Sequence, residues 1–313
     1  MRNLELAIKY LAGDRLIGTA TERAAMTTGM TDGLGSSANG TNVSVTLNTS
    51  DEKLGSGCYD FARGSAQEVQ VLDSGLSFMV GKPTFTLAYW CNPDAFTGLT
   101  STAWFFGSDS SSGGHSSMTA HFNNDGSIHL SSYGGSWTGG TPNNNSNSSA
   151  CTLSTDEWAH LAFVSDTTSL RIYKNGALTD TFPWSSNSSK SLVMPDPDQM
   201  KLGQYSGGGS VNSGLFDGQL DDVGLWNVAL PIGTDENTAG SIKYLYNTGT
   251  GRLCSTIPTG LKVYFSMESV TSNICTNDAI ATYPNISNGT LFEESDTGKH
   301  YMFDGTSTWN EMS

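Results

Sequence analysis

Phe85-Thr86-Leu87-Ala88-Tyr89-Trp90-Cys91 places Phe, Leu, Tyr and Cys on one side of an alternation and Thr, Ala and Trp on the other. A period of two marks a β-strand, because successive side chains point to opposite faces of the pleat. Both sides of this stretch are substantially apolar, so the strand is expected to be covered on both faces.

The same pattern extends outward. Met118, Ala120 and Phe122 alternate with Thr119 and His121, and Asn123-Asn124-Asp125-Gly126 reads as a turn before Ile128–Leu130. Trp158–Val164 reads as a strand. Leu170–Lys174 follows it and runs into Asn175-Gly176, a strong hairpin signal. Met200–Gln204 and Leu220–Trp226 complete this set, and upstream a single strand is expected at Val43–Leu47. Between them lie the low-complexity loops Ser108–Ser117, Gly134–Ser149 and Ser185–Lys190. Many short strands joined by polar turns describe an all-β, antiparallel sandwich or barrel. Helical spacing is confined to two places. Leu4, Ile8 and Leu11 precede Gly13, with Thr19 and Glu22 as a capping box for a second short helix. Ile242, Leu245 and Tyr246 form the other, with a start expected at Thr234-Asp235-Glu236.

Composition narrows the function classes. Charged residues make up 14% of the chain while aromatics reach 10%, a balance that speaks for a folded chain rather than a disordered one. A net charge of -15 excludes a cationic nucleic-acid surface, because phosphate counterions are displaced by lysine and arginine. It equally disfavours an anionic membrane face. No apolar stretch approaches membrane-span length, and Glu5 and Lys9 interrupt the N-terminal segment as a secretory signal. The 5 cysteines lack zinc-type spacing. They read as small buried hydrophobes without bonds, the alternative being a local Cys254–Cys275 bridge.

The order of motifs resembles the laminin-G-like (LamG) branch of the concanavalin A-like family. Gly57-Cys58-Tyr59-Asp60-Phe61 resembles its early G-x-Y-x-F strand, and Phe85–Trp90 its F-T-I-S-x-W strand. Glu157–Ala162 resembles W-x-H-V-A, Leu170–Gly176 resembles L-x-I-Y-V-N-G, and Lys201-Leu202-Gly203 resembles L-x-I-G. Phe216–Val223 resembles F-x-G-x-I-D-D-V, and Ala229-Leu230 with the run to Tyr246 resembles the closing segment. The resemblance implies a two-sheet jelly-roll sandwich over residues 31–252; the helical spacing ahead of it marks residues 1–30 as a helical assembly segment. Gly260–Met267 and Lys299–Gly305 resemble the opening of a second copy. The 253–313 extension is therefore expected to add strands to the sandwich or to a neighbouring subunit. Ala7–Leu11 through Arg23–Met26 is loosely similar to leader segments of phage and archaeal-virus structural proteins.

Retaining glycan hydrolysis on this fold needs closely spaced carboxylates on one strand, and no E-x-D-x-E pattern occurs. Asp221 and Asp222 are adjacent, so on a regular strand they point to opposite faces and cannot act together. No G-x-S-x-G elbow accompanies the histidines, and His160 falls where the family packs a side chain within the sheet. The resemblance implies calcium at a loop rim, with Asp217, Asp221, Asp125 and Asn124 as candidate ligands; the alternative is plain turn-making. Trp104, Trp137, Tyr133, Trp184 and Tyr205 lie in or near loops. They are the candidate carbohydrate platforms, or else pins that hold those loops.

The reading that follows is a non-enzymatic structural or surface component of a virus particle, found at the virion surface or outside the cell. Its partners would be copies of itself, other virion proteins or a glycan, without nucleic acid or membrane insertion. The alternative is a monomeric lectin or adhesin; a glycoside hydrolase ranks last.

Overall fold

The computed structural model describes residues 15–18, 40–63, 65, 67–72, 76, 78, 84–96, 100–107, 117–133, 146–183, 199–203, 215–257, 259–270, 274–275, 291–303 and 309–312. In chain order the strands begin with β1 (Arg15–Gly18), β2 (Gly40–Val43), β3 (Thr46–Asn48), β4 (Cys58–Phe61) and β5 (Glu68–Leu72). Next come β6 (Phe85–Pro93), β7 (Thr100–Gly107), β8 (Ser117–Phe122), β9 (Ser127–Tyr133) and β10 (Ser146–Thr152). Then follow β11 (Ala159–Ser165), β12 (Ser169–Lys174), β13 (Ala177–Pro183), β14 (Gln199–Leu202) and β15 (Gly218–Trp226). Helix α1 (Ile242–Tyr246) precedes β16 (Leu261–Phe265), β17 (Ile274–Cys275), β18 (Leu291–Glu294), β19 (His300–Phe303) and β20 (Trp309–Met312). The chain divides into two compact units, residues 36–279 and a smaller one joining 1–35 to 280–313.

The larger unit is an antiparallel sandwich. Its first sheet has the strand order β10-β9-β8-β7-β14-β5-β2-β17. Its second runs β13-β12-β11-β6-β15-β4-β3, with β16 also paired to β15. Val69, Val71, Ala120, Phe122, Ile128, Leu130, Met200 and Leu202 form the buried side of the first sheet. Leu87, Tyr89, Leu161, Phe163, Ile172, Leu220 and Leu225 do the same for the second. Phe216 bridges the two, edge-on to Phe61 of β4 at 5.9 Å and to Phe122 of β8 at 6.4 Å. Each fully buried side chain of this size contributes roughly 1.5–3 kcal/mol, so this layer is the main source of cohesion.

The second sheet has another apolar core on its outer side. Ala88, Ala162, Val164, Tyr173 and Trp226 on the sheet pack with Leu230, Ile242, Leu245, Cys254, Ile257, Leu261 and Tyr264. Trp226 donates its indole N–H to the Ile257 carbonyl at 2.8 Å. Phe85–Cys91 is thus buried on both faces, as its two apolar sides require. Helix α1 in this cover starts at Ser241, whose hydroxyl accepts from the Tyr244 amide, and ends at Asn247 in the left-handed region. Thr234–Thr238 instead closes a turn on the Asp235 carboxylate, so the helix starts later than expected.

Several sequence expectations are corrected. Val43–Leu47 is not one strand. Ser44 turns at φ 60 while the Asn42 side chain accepts from the Val45 amide at 2.8 Å, which sends β2 and β3 to different sheets. Trp104 lies within β7, and residues 146–149 of the expected Gly134–Ser149 loop belong to β10. Cys254, by contrast, is a free, buried thiol like Cys58, Cys91 and Cys151, in keeping with the reading of the cysteines as small buried hydrophobes. The C-terminal extension divides. β16 pairs antiparallel with β15, and β17 pairs with β2.

In the smaller unit the order is β1-β18-β19-β20, with β1 parallel to β18 from Arg15–Leu291 to Gly18–Glu294. Phe292, Glu294 and Tyr301 are buried there. Arg15–Gly18 is a strand; the two helices expected in residues 1–30 fall outside the described residues. Among the described residues no helix is long and apolar enough to cross a membrane.

Candidate functional site

Three places hold the chemistry worth weighing. The first is the adjacent pair Asp221–Asp222. The ladder between β15 and β6 shifts register between Asp221 and Gly224, and Asp222 adopts φ 53. This bulge breaks the alternation, so both carboxylates reach the outer, covered side of the second sheet, contrary to the opposite-face expectation. Asp221 Oδ2 accepts from the Lys53 and Leu54 amides at 2.9 and 2.8 Å. Asp222 accepts from the Cys254 amide at 3.0 Å and from the Tyr264 hydroxyl at 2.8 Å. Burial raises both acids, Asp221 to about 8 and Asp222 to about 6. With exposures of 0% and 1%, they hold the cover in place rather than face a substrate.

His160 is the second. It lies opposite Trp90 across β11 and β6, with ring centroids 5.2 Å apart and Tyr246 beyond. Burial pushes its imidazole down to about 3, so it stays neutral and packs, as its family position implied.

The third is the outward side of the first sheet. On β2 burial alternates, with exposed Thr41 and Val43 against buried Gly40 and Asn42. Gln70 sits in register with Thr41 on one side and Lys201 on the other. Val69 and Val71 point into the core, which turns Glu68 and Gln70 outward. Lys201 Nζ lies 2.9 Å from Glu68 Oε2, a diagonal cross-strand pair with each side chain 11% exposed. His129, between buried Ile128 and Leu130, is on this side too. The sequence reading passed over these residues, although Glu68-Val69-Gln70-Val71 alternates with period two.

Of the aromatic candidates, Trp104 and Tyr133 fall on β7 and β9 of this same sheet. Trp137, Trp184 and Tyr205 lie outside the described residues.

The four calcium candidates do not form one site. Asp125 caps its own turn, accepting from the Ser127 amide at 2.9 Å and the Ser127 hydroxyl at 2.6 Å, and these bonds lower its pKa. Asn124 is an exposed residue of that turn. Asp217 accepts from the Arg63 amide at 3.0 Å, and Asp221 is buried as above. Among the described residues no three His, Cys, Asp or Glu side chains gather to hold an ion. Near Asp217, the Gln219 amide donates to Asp60 at 2.9 Å and to Asp94 at 3.3 Å. Asp94 is raised by burial, an effect that the Gln219 bond opposes and nearby Asp217 and Asp60 reinforce.

A family model described as the concanavalin A-like lectin/glucanases superfamily matches residues 63–231. The chain belongs to this superfamily. The matched span runs from the β4–β5 connection to the segment after β15 and contains Lys201 and Gln70. No curated protein matches the chain. Among solved structures, domain 4 of AbnA, a GH43 extracellular arabinanase from Geobacillus stearothermophilus in complex with arabinotriose, shares 19% identity. It covers 61% of this chain and 78% of that one at a TM-score of 0.42. The native heptameric SAP-like pentraxin of Limulus polyphemus shares 15%, covering 78% of this chain and 98% of that one at 0.40. The Ruminococcus gnavus IT-sialidase CBM40 bound to alpha2,3 sialyllactose shares 12%, covering 63% and 96% at 0.41. Likenesses at these scores carry no functional weight.

Proposed function

We propose that this concanavalin A-like protein is a non-enzymatic carbohydrate-binding module that takes glycans on the outward side of its first sheet and acts outside the cell. The observation carrying this reading is the asymmetry of the sandwich. Strands β6, β11 and β15 of the second sheet are buried on both faces, whereas β2 of the first sheet alternates, and the outward side of that sheet carries exposed Thr41 with half-buried Gln70, Lys201 and His129. Amide, hydroxyl and ammonium groups on a rigid sheet suit the fixed hydroxyl pattern of a sugar. Trp104 on β7 and Tyr133 on β9 belong to the same sheet and are the aromatic candidates. A non-enzymatic role is supported by the fate of the adjacent carboxylates, which are buried and bonded to backbone amides. The test is a glycan array followed by titration calorimetry. Gln70→Ala should weaken the best glycan by at least about tenfold without lowering the melting temperature. Binding to no glycan at all would remove the reading.

A second reading, a structural or surface component of a virus particle, draws on the smaller unit. There β1 from one end of the sequence pairs with β18 near the other, and Met302 and Met312 are exposed at 41% and 36%. Light scattering on the purified chain tests it, since assembly requires a defined oligomer.

A further inference from the structure

The strands of the first sheet are unusually poor in charge for a protein carrying -15 overall. Their sequences are GTNV, EVQVL, TSTAWFFG, SMTAHF, SIHLSSY, SNSSACT, QMKL and IC. Across all eight strands Glu68 is the only carboxylate and Lys201 the only lysine or arginine. These two close on each other at 2.9 Å. What remains on the strands is hydroxyl, amide, imidazole and aromatic.

We infer, resting on the glycan-binding reading above, that the ligand of this face is an uncharged glycan. Three steps lead there. An acidic sugar bears a carboxylate or sulfate and needs an unpaired cation to replace its lost hydration. The one lysine of the sheet already has its counter-charge. Recruiting Lys201 to a ligand anion strands Glu68, nearly buried, beside a second negative group. The acidic surround adds long-range repulsion that slows the approach of polyanions. A neutral sugar meets none of these penalties. Gln70 beside Lys201 both donates and accepts, which suits neutral hydroxyls and leaves the Glu68–Lys201 pair intact. The pair therefore acts as a filter that admits neutral glycans and rejects acidic ones.

The experiment compares, by titration calorimetry on the full chain, neutral hexaoses of glucose, xylose, mannose and arabinose with 3′-sialyllactose, oligogalacturonate and a heparin hexasaccharide. A neutral member should bind at least about tenfold more tightly than every acidic one. Glu68→Gln frees Lys201 and should shift that ratio toward the acidic ligands. The Glu68→Gln/Lys201→Gln double variant, which removes both charges, should shift it back. Melting curves show that each variant is folded. Equal or tighter binding of an acidic glycan by the wild type, or a ratio unmoved by Glu68→Gln, overturns this inference. Binding of no glycan from either class overturns the underlying glycan reading instead.

Discussion

The Tyr264 hydroxyl donates to Asp222 Oδ1 at 2.8 Å, joining β16 to the bulge of β15 inside the outer core. The bulge is also where β15 changes partner. Gly218, Gln219 and Leu220 pair with β4, while Val223 onward pairs with β16. Removing the hydroxyl leaves a buried carboxylate with one donor fewer. Tyr264→Phe should therefore destabilise the fold by about 1–3 kcal/mol. Urea unfolding of the two proteins checks this; equal midpoints refute it.

The same pair makes stability depend on pH in an uncommon direction. Burial raises Asp221 to about 8 and Asp222 to about 6, so the folded state holds protons that the unfolded chain has released. Stability from this pair is complete below the ordinary aspartate range. It declines as pH rises through about 6 and then about 8. Melting temperature should thus fall from about pH 5 to about pH 9, and Asp221→Asn should flatten that slope. A wild type and variant with parallel pH profiles would falsify the assignment.

Gly218 opens β15 at φ 134, and a Cβ there would lie 2.3 Å from the Asn92 carbonyl oxygen. The obstruction is backbone in the centre of the sheet, which has little room to shift. Gly218→Ala should cost about 2 kcal/mol or more, measured as a lowered unfolding midpoint.

The Asn175-Gly176 hairpin offers a graded comparison. Asn175 sits at φ 51, and its side-chain oxygen accepts from the His160 amide at 2.9 Å. Asn175→Ala loses both the left-handed preference and the bond, so a loss of about 1–2 kcal/mol is expected. Asn175→Gly keeps the backbone conformation and should lose less. Thermal unfolding of the three proteins gives the order; a glycine variant no more stable than the alanine one contradicts it.

Much of the sandwich was legible along the chain because burial imposes a period that sequence records directly. β6, β8, β11, β12 and β15 all follow from alternation or a hairpin signal. Among the strands that escaped notice, β10 is mostly Ser and Asn, a stretch that reads equally as a loop, and β7 opens on Thr-Ser-Thr before its aromatics. β10 is an edge strand held by pairing to β9, which composition does not encode. The candidate site escaped for a related reason. Glu68 and Lys201 lie far apart in sequence, each a single charge in a short strand, and only the ladder between β5 and β14 makes them a pair.

The sequence by itself determined the class of fold and which stretches become its central strands, since periodicity and apolar content are local properties. Tertiary structure alone decided that Asp221 and Asp222 share one side of the sheet. It alone decided that the C-terminal extension adds β16 and β17 to the sandwich, and that the two charges of the first sheet cancel. Each of these depends on which strands become neighbours, and that choice is made by burial and hydrogen bonding across long separations rather than by any residue's own preference.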